Sequence, residues 1–210
     1  MNCIVCDSNL ISVFTVIDNK KYWSCRSCLA KFLDKDNRID RDSEKDRYLQ
    51  HDNRIKDIAY RGFLSRLATP LKKKLLKGYK GLDYGCGHGP ALADILRSDG
   101  FDVDLYDPFF FPNKDVLYKK YDFITCTEVV EHFFNPLKEF TILNNLLNQG
   151  GWLGVMTSFL IKDELFESWY YRKDPTHVVF YAEKTFEVIA AQRKWSYEIQ
   201  SKGIVLFCKN

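Results

Sequence analysis

Four cysteines near the start of the chain, Cys3-x-x-Cys6 and Cys25-x-x-Cys28, form two knuckles separated by 18 residues. Thiolates paired this way can occupy the four corners of a tetrahedron about one Zn²⁺, the closed geometry of a structural site. Two disulfides are the alternative use of the same residues. A second group of residues is suited to an organic ligand. Gly81-Leu-Asp-Tyr-Gly-Cys-Gly-His-Gly-Pro90 is a short apolar strand that breaks into three alternating glycines. Lacking Cβ atoms, Gly85, Gly87 and Gly89 let the chain turn sharply and let a ligand lie against bare backbone. Pro90 suits the first position of a following helix, whose N-terminal N–H groups and partial positive charge favour an anionic or carboxylate-bearing ligand. Asp107 ends the alternating segment Phe101–Asp107, 18 positions beyond Gly89. A carboxylate there can accept hydrogen bonds from the two ribose hydroxyls of a nucleoside.

Dinucleotide-binding domains share both devices, and a third segment separates the two families. Tyr121-Asp-Phe-Ile-Thr-Cys-Thr-Glu-Val-Val-Glu-His132 resembles the fourth-strand motif of small-molecule methyltransferases, commonly written YDxIxxxEVLEH. The decapeptide Gly81–Pro90 likewise resembles the first motif of the class I S-adenosylmethionine-dependent methyltransferases. The resemblance covers roughly residues 48–200 and implies S-adenosylmethionine as cofactor. The residues it implies for cofactor binding are Asp83, Tyr84, Gly85, Cys86, Gly87 and Gly89, then Asp107, Pro108 and Phe109, then Thr127, Glu128, Val129 and His132. Asp174-Pro-Thr-His177 resembles the Pro-Thr-His segment of the family that includes the polyprenyl-quinol methylases. His177, His132 and Tyr171 become the catalytic candidates, because a histidine near neutral pH can accept the proton released when an oxygen or carbon nucleophile takes a methyl group. The residues leave other roles open: His177 holding its own loop, and the Glu131-His132 pair orienting substrate or capping a helix.

The implied activity is methyl transfer to an oxygen, nitrogen or carbon nucleophile of a small-molecule acceptor. An RNA base methyltransferase is the alternative, since some bacterial ribosomal-RNA guanine methyltransferases also begin with a cysteine-rich ribbon, and the ribbon would then contact RNA or protein. Against it, the chain has no Asn-Pro-Pro-Tyr-type amino-methylation motif and no broad basic face. A module that binds the cofactor without turnover is a third reading.

Composition sets the outer limits. At 210 residues and 46% hydrophobic, the chain can bury one full α/β core with a small module beside it. A net charge of +3 is too small to argue for a nucleic-acid partner. Neither a membrane span of ~20 apolar residues nor a secretory leader is expected, and seven cysteines, an odd number, suit a reducing cytoplasm better than a disulfide framework.

The elements that must position these residues follow from periodicity and punctuation. Leu10 to Ile17 and Lys21 to Ser24 read as two short strands of a zinc ribbon over residues 1–33, around the turn Asp18-Asn-Lys20. Residues 34–47 carry eleven charged side chains of fourteen and one large aliphatic, so a solvated linker is expected there. The methyltransferase domain then spans 48–210, beginning with a helical stripe of Ile55, Ile58, Ala59, Phe63, Leu64 and Leu67. Tyr48, His51 and Asn53, just ahead of that stripe, either line the site or belong to a capped surface helix. The lysines 72–74 and Lys77 lie opposite Leu71, Leu75 and Leu76, the pattern of a solvated face. Further on, Pro90 to Arg97 is a helix; Asn135 and Pro136 start another that Gly150-Gly151 ends; Trp152 to Thr157 is a strand; Glu183 to Trp195 is a helix; and Tyr197 to Gln200 with Ile204 to Cys208 make a final hairpin. The expected fold is α/β: a doubly wound, mainly parallel Rossmann-like sheet with one antiparallel edge element and a small N-terminal zinc-ribbon module. Only 13 residues separate Asp107 from Tyr121, so the third strand is short or missing, with Val116 to Tyr118 as its remnant. Pro108, Phe109, Phe110 and Phe111 would then improvise the apolar pocket of a flat ring.

Overall fold

The computed structural model describes residues 1–50 and 54–210; His51 and Asn53 lie outside the described residues. In chain order the elements are β1 (Ile11–Ile17), β2 (Lys20–Cys25), β3 (Lys31–Leu33), α1 (Arg41–Leu49), α2 (Ile58–Lys72), β4 (Lys80–Tyr84), α3 (Ala91–Ser98), β5 (Asp102–Tyr106), β6 (Tyr121–Thr127), α4 (Pro136–Leu146), β7 (Leu147–Met156), β8 (Val179–Phe180), α5 (Glu183–Arg193), β9 (Trp195–Ser201) and β10 (Ile204–Lys209). Six of the strands form one sheet in the order β5-β4-β6-β7-β10-β9. The first four run parallel, and β10 is antiparallel to both β7 and β9. Leu64, Leu67 and Leu71 of α2 pack with Leu92 and Leu96 of α3 on one face; Phe140 and Leu143 of α4 and Phe186 and Ile189 of α5 cover the other. This is the doubly wound α/β sheet with a shortened third-strand region.

The 13-residue gap explains the shortening. Asp107 and Phe111 exchange both backbone hydrogen bonds at 3.0 Å, and residues Lys114–Tyr118 form a 3-10 turn capped by Asn113. Val116 to Tyr118 is therefore not a strand remnant, and β5 is the sheet edge. The Tyr121 hydroxyl pins the turn by donating to Asp104 and to the Val116 carbonyl at 2.8 and 2.9 Å.

Three other expectations change. First, Gly150-Gly151 does not end a helix: α4 stops at Leu146 and runs directly into β7, where a register shift opposite Tyr121 to Phe123 absorbs the glycines. Second, Ile58 is 88% exposed and Ile55 is also exposed; the buried stripe of α2 is Leu64, Leu67, Ala68 and Leu71. Third, residues 34–47 are not a bare solvated linker. Asp40 caps α1 by accepting from the N–H groups of Asp42 and Ser43, Arg38 donates to the Phe134 carbonyl at 3.0 Å, and Arg47 pairs with Asp174 at 2.7 Å. A segment with a single large aliphatic, Ile39, is held here by charged partners on distant parts of the chain.

The N-terminal hairpin closes at Asp18 and Asn19, whose φ values of 52° and 60° match a type I′ turn. Its third strand does not end the module. β3 pairs antiparallel with β8, giving a four-stranded sheet β1-β2-β3-β8. Thr185 Oγ1, fully buried, donates to the Cys28 carbonyl at 2.8 Å, and Gln192 donates to that of Cys6 at 2.8 Å. Cys3, Val5, Phe32 and Leu33 accordingly share one continuous core with Phe180, Phe186 and Phe207.

Candidate active site

A cleft of about 660 Å³ opens at the carboxyl ends of β4, β5 and β6. All thirteen residues expected around a cofactor line it, from Asp83 to Gly89, from Asp107 to Phe109, and from Thr127 to His132. Gly85 and Gly87 sit at φ 78° and 64°, and the N–H groups of Gly85 and Cys86 donate to the Tyr106 carbonyl at 2.7 and 3.2 Å, tying the glycine turn to the end of β5. Gly85 is required twice over: a Cβ there would stand 2.6 Å from both methyls of Val129. Asp107 joins the two walls. One of its oxygens accepts from Gly87 N at 3.0 Å, and the other accepts from Phe109 N and Phe110 N at 2.8 and 3.0 Å. The oxygen that accepts only from Gly87 keeps a lone pair beyond that bond, so a ribose hydroxyl can still be received. Phe110 lines the cleft with Pro108 and Phe109, whereas Phe111 is spent on its backbone bridge to Asp107.

Thr127, at the end of β6, supplies the test of ligand fit. Its Oγ1 is buried without a hydrogen-bond partner among the described residues, and the residue lines the cleft. A buried polar atom of this kind is costly unless something meets it. Asp83, fully inside, accepts from Thr125 Oγ1 at 2.8 Å, and burial pushes its carboxyl up to about 6.

The catalytic candidates gather at the other end of the cleft. Glu128 holds a left-handed φ of 53°, uncommon for a side chain with a Cβ, and burial raises its carboxyl to about 7. Glu131, wholly buried, lies behind it; burial first and the nearby Glu128 second raise it also to about 7. The Tyr171 hydroxyl donates to Glu131, lies 2.8 Å from Thr157 Oγ1 and is 3.3 Å from Glu128. Burial raises the Tyr171 hydroxyl well above its ordinary pKa, and its contacts tie it to Glu131, Thr157 and Glu128. His177 packs on the Tyr171 ring at 4.1 Å and on His132 at 4.7 Å, and His132 meets Tyr48 at 5.2 Å. Tyr48 thus lines the cleft, as one of its two expected roles required. A second cavity, also about 660 Å³, shares Glu128, Tyr170 and Tyr171 as its wall with the first.

Sequence reasoning missed Glu44, Arg47 and Tyr60 as cleft residues. The first two sit in the segment read as a linker, where the Asp40 cap was the available signal. Arg47 clamps Asp174 through Nε and Nη2 at 3.1 and 2.7 Å. Burial opposes the charge of Asp174, yet the bonds from Arg47 and Thr176 outweigh it and hold the carboxyl well below the usual range.

The sequence model of a methyltransferase-domain family matches residues 49–198. The chain belongs to that family. Its fold is that of the class I S-adenosylmethionine-dependent methyltransferases. Among solved structures this methyltransferase is similar to an O-methyltransferase family protein from Burkholderia thailandensis, at 14% identity and TM-score 0.52, covering 80% of this chain and 62% of that one. The PH0226 protein from Pyrococcus horikoshii OT3 matches at 16% identity and TM-score 0.52, covering 74% and 94%. An O-methyltransferase family 2 protein from Planctomyces limnophilus DSM 3776, solved in complex with apigenin, matches at 15% and 0.51, covering 82% and 62%. The chain therefore spans less than two thirds of the length of the first and third of these. No curated protein sequence matches it. Among the described residues, no helix is long and apolar enough to cross a membrane.

The four N-terminal cysteines also converge. Cys3 Sγ lies 3.7 Å from Cys28 Sγ and Cys6 Sγ 3.6 Å from Cys25 Sγ, all buried and unbridged. A disulfide needs about 2.05 Å, whereas the edge of a tetrahedron with Zn–S near 2.3 Å is about 3.8 Å.

Proposed function

We propose that this methyltransferase moves the methyl group of S-adenosylmethionine to an oxygen, nitrogen or carbon nucleophile of a small-molecule acceptor. The observation that carries the reading is the meeting, in one cleft, of the glycine turn, Asp107 and the unsatisfied Thr127 hydroxyl with the Glu128–Glu131–His132–His177 cluster. When bound, the cofactor supplies an electrophilic methyl on a sulfonium that is already a good leaving group. The protein's part is then mostly position. Asp107 receives the ribose hydroxyls, Pro108, Phe109 and Phe110 flank the adenine ring, and the backbone and hydroxyl at Thr127 receive the polar end of the methionine part. Glu128, His132 and His177 seat the acceptor and one of them receives its proton, while Tyr171 holds Glu131 and supports the His177 ring. Closure by α1 excludes water.

Further support for a small acceptor comes from the size of the cleft, which lies within the ~300–1,000 Å³ of small-molecule sites, and from the lysine run. Lys72 pairs with Asp99 and Lys74 with Glu198, both at 2.7 Å, which leaves less basic surface for RNA. We assign one structural Zn²⁺ to Cys3, Cys6, Cys25 and Cys28, residues 1–33 to the metal module, 34–47 to a strap and 48–210 to the catalytic domain. Seven free thiols suit a reducing, cytoplasmic setting. The test is calorimetry with S-adenosylmethionine, followed by incubation of the protein with methyl-labelled cofactor and fractionated lysate. Binding with label in the small-molecule fraction is expected; label confined to RNA would replace the acceptor class, and absence of binding would overturn the reading.

A further inference from the structure

Glu131, His132 and His177 point one carboxylate oxygen and two ring nitrogens at a common centre, with all three ligand atoms within 4.8 Å of one another. His132 Nε2 stands 4.0 Å from Glu131 Oε1, and the two imidazole rings meet at 4.7 Å and 69°. How each ring is held decides what it offers. His132 Nδ1 faces the Thr176 carbonyl at 3.1 Å, and His177 Nδ1 faces the Tyr171 carbonyl at 2.7 Å. A carbonyl only accepts, so each Nδ1 carries the hydrogen, which leaves Nε2 as the nitrogen each ring can offer a ligand. This is the arrangement by which backbone carbonyls fix the tautomer and orientation of metal-bound histidines. The carboxylate is supported in the same manner: Tyr171 donates to one oxygen of Glu131 and Thr157 Oγ1 donates to the other at 2.9 Å. Two nitrogen lone pairs and a wholly buried carboxylate converge here, and among the described residues no lysine or arginine pairs with Glu131. A buried charge without a cationic partner is unfavourable.

We propose that Glu131, His132 and His177 bind one divalent transition-metal cation in the acceptor end of the cleft. Two imidazoles and one carboxylate on one side of the ion make a facial set, with the remaining positions open. Those positions face the cleft, because His132 and His177 line it whereas Glu131 lies behind them. Metal–N and metal–O distances near 2.1 Å place cis ligands about 3 Å apart, so the three side chains draw in by rotation about their terminal torsions. Resting on the methyltransferase reading, the site also names the acceptor class: a small molecule that presents a hydroxyl or paired oxygen donors to the ion, which would lower the pKa of that hydroxyl. The two metal sites differ in chemistry. The four thiolates select zinc, and the His-His-Glu set accepts harder ions such as manganese.

The probe is therefore Mn²⁺, added to the full chain already loaded with zinc and read by electron paramagnetic resonance of free and bound ion. The expected result is one Mn²⁺ per chain with nitrogen couplings from imidazole. His177→Gln and Glu131→Gln should each weaken binding at least tenfold, with circular dichroism confirming the fold. Thr157→Val, which removes the outer hydrogen bonds to Glu131 and the Tyr171 hydroxyl, should weaken it by roughly 10-fold. Absence of Mn²⁺ uptake, or uptake unchanged in a folded His177→Gln protein, would overturn the proposal. Cofactor binding and label transfer in metal-free protein would also overturn it while leaving the methyltransferase reading intact. Mn²⁺ uptake without cofactor binding would do the reverse.

Discussion

At the scale of single residues, Asp107 and Asp83 do different work with the same side chain. Asp107 is only 7% exposed, and its oxygens accept from three backbone donors that join the glycine turn to the phenylalanine turn, with one acceptor position left for a ligand. Asp107→Ala should weaken S-adenosylmethionine binding by about 1.5–3 kcal/mol, the scale of a hydrogen bond to a charged group; unchanged affinity by calorimetry in a folded variant would remove Asp107 from the cofactor site. Asp83 is instead a buried acid held up at about 6, above the ~3.9 of an exposed aspartate. The folded state therefore binds this proton more tightly than the unfolded state. Its contribution to stability is full below pH ~3.9 and is lost as the pH rises to about 6, on the order of 3 kcal/mol. Denaturant unfolding of the cofactor-free protein should show that fall, and Asp83→Asn should flatten it. Gly85 is set by geometry alone. With φ at 78° and a would-be Cβ 2.6 Å from Val129, Gly85→Ala should cost about 1–3 kcal/mol of stability. Adding Val129→Ala should recover the steric part and not the left-handed part.

At the scale of elements, α1 is the piece whose role depends on partners far along the chain. Tyr48 sets its ring on Phe109 at 5.6 Å and on His132 at 5.2 Å, Arg41 covers the face of Phe109 at 5.1 Å, and Arg47 locks to Asp174. The helix therefore roofs both the ring pocket and the histidine pair. Arg47→Ala should release it: amide exchange over residues 41–49 should accelerate, and cofactor affinity should fall about fivefold, as expected from roughly 1 kcal/mol for a partly exposed ion pair. Equal exchange rates in variant and parent would show that aromatic contacts alone hold the roof. A charged segment reads as solvated because charge carries no periodicity toward a core. The Asp40 cap was legible, and the clamp on Asp174 was not, because it joins residues 127 positions apart.

At the scale of the whole molecule, the cysteine module shares one core with the catalytic sheet while forming its own sheet with β8. β3 pairs with β8, Thr185 bonds to the Cys28 carbonyl, and one core runs from Val5 to Phe207. Loss of the metal should then weaken everything together. Elemental analysis of protein purified without chelator should find one Zn²⁺ per chain in the four-cysteine site, and Cys25→Ser should lower the melting temperature as a single transition and not as a separate early melt. Two resolved transitions in calorimetry would show that ribbon and sheet unfold independently.

The sequence by itself determined the parts governed by local chemistry. Glycines at left-handed turns, the Asn135-Pro136 helix start, the alternating strands and the CxxC knuckles each have a short-range physical cause. They were enough to place the cleft, most of its lining and the α/β class. Tertiary structure alone decided how the histidines meet the carboxylates: His132 and His177 lie 45 positions apart in sequence, and their Nδ1 atoms are oriented by the carbonyls of Thr176 and Tyr171. It also decided that the third strand is replaced by a 3-10 turn, that the charged segment becomes a roof, and that β8 adds a fourth strand to the ribbon's sheet. These are non-local pairings, whose energies depend on which surfaces the completed sheet brings together, and no pattern of neighbouring residues encodes them.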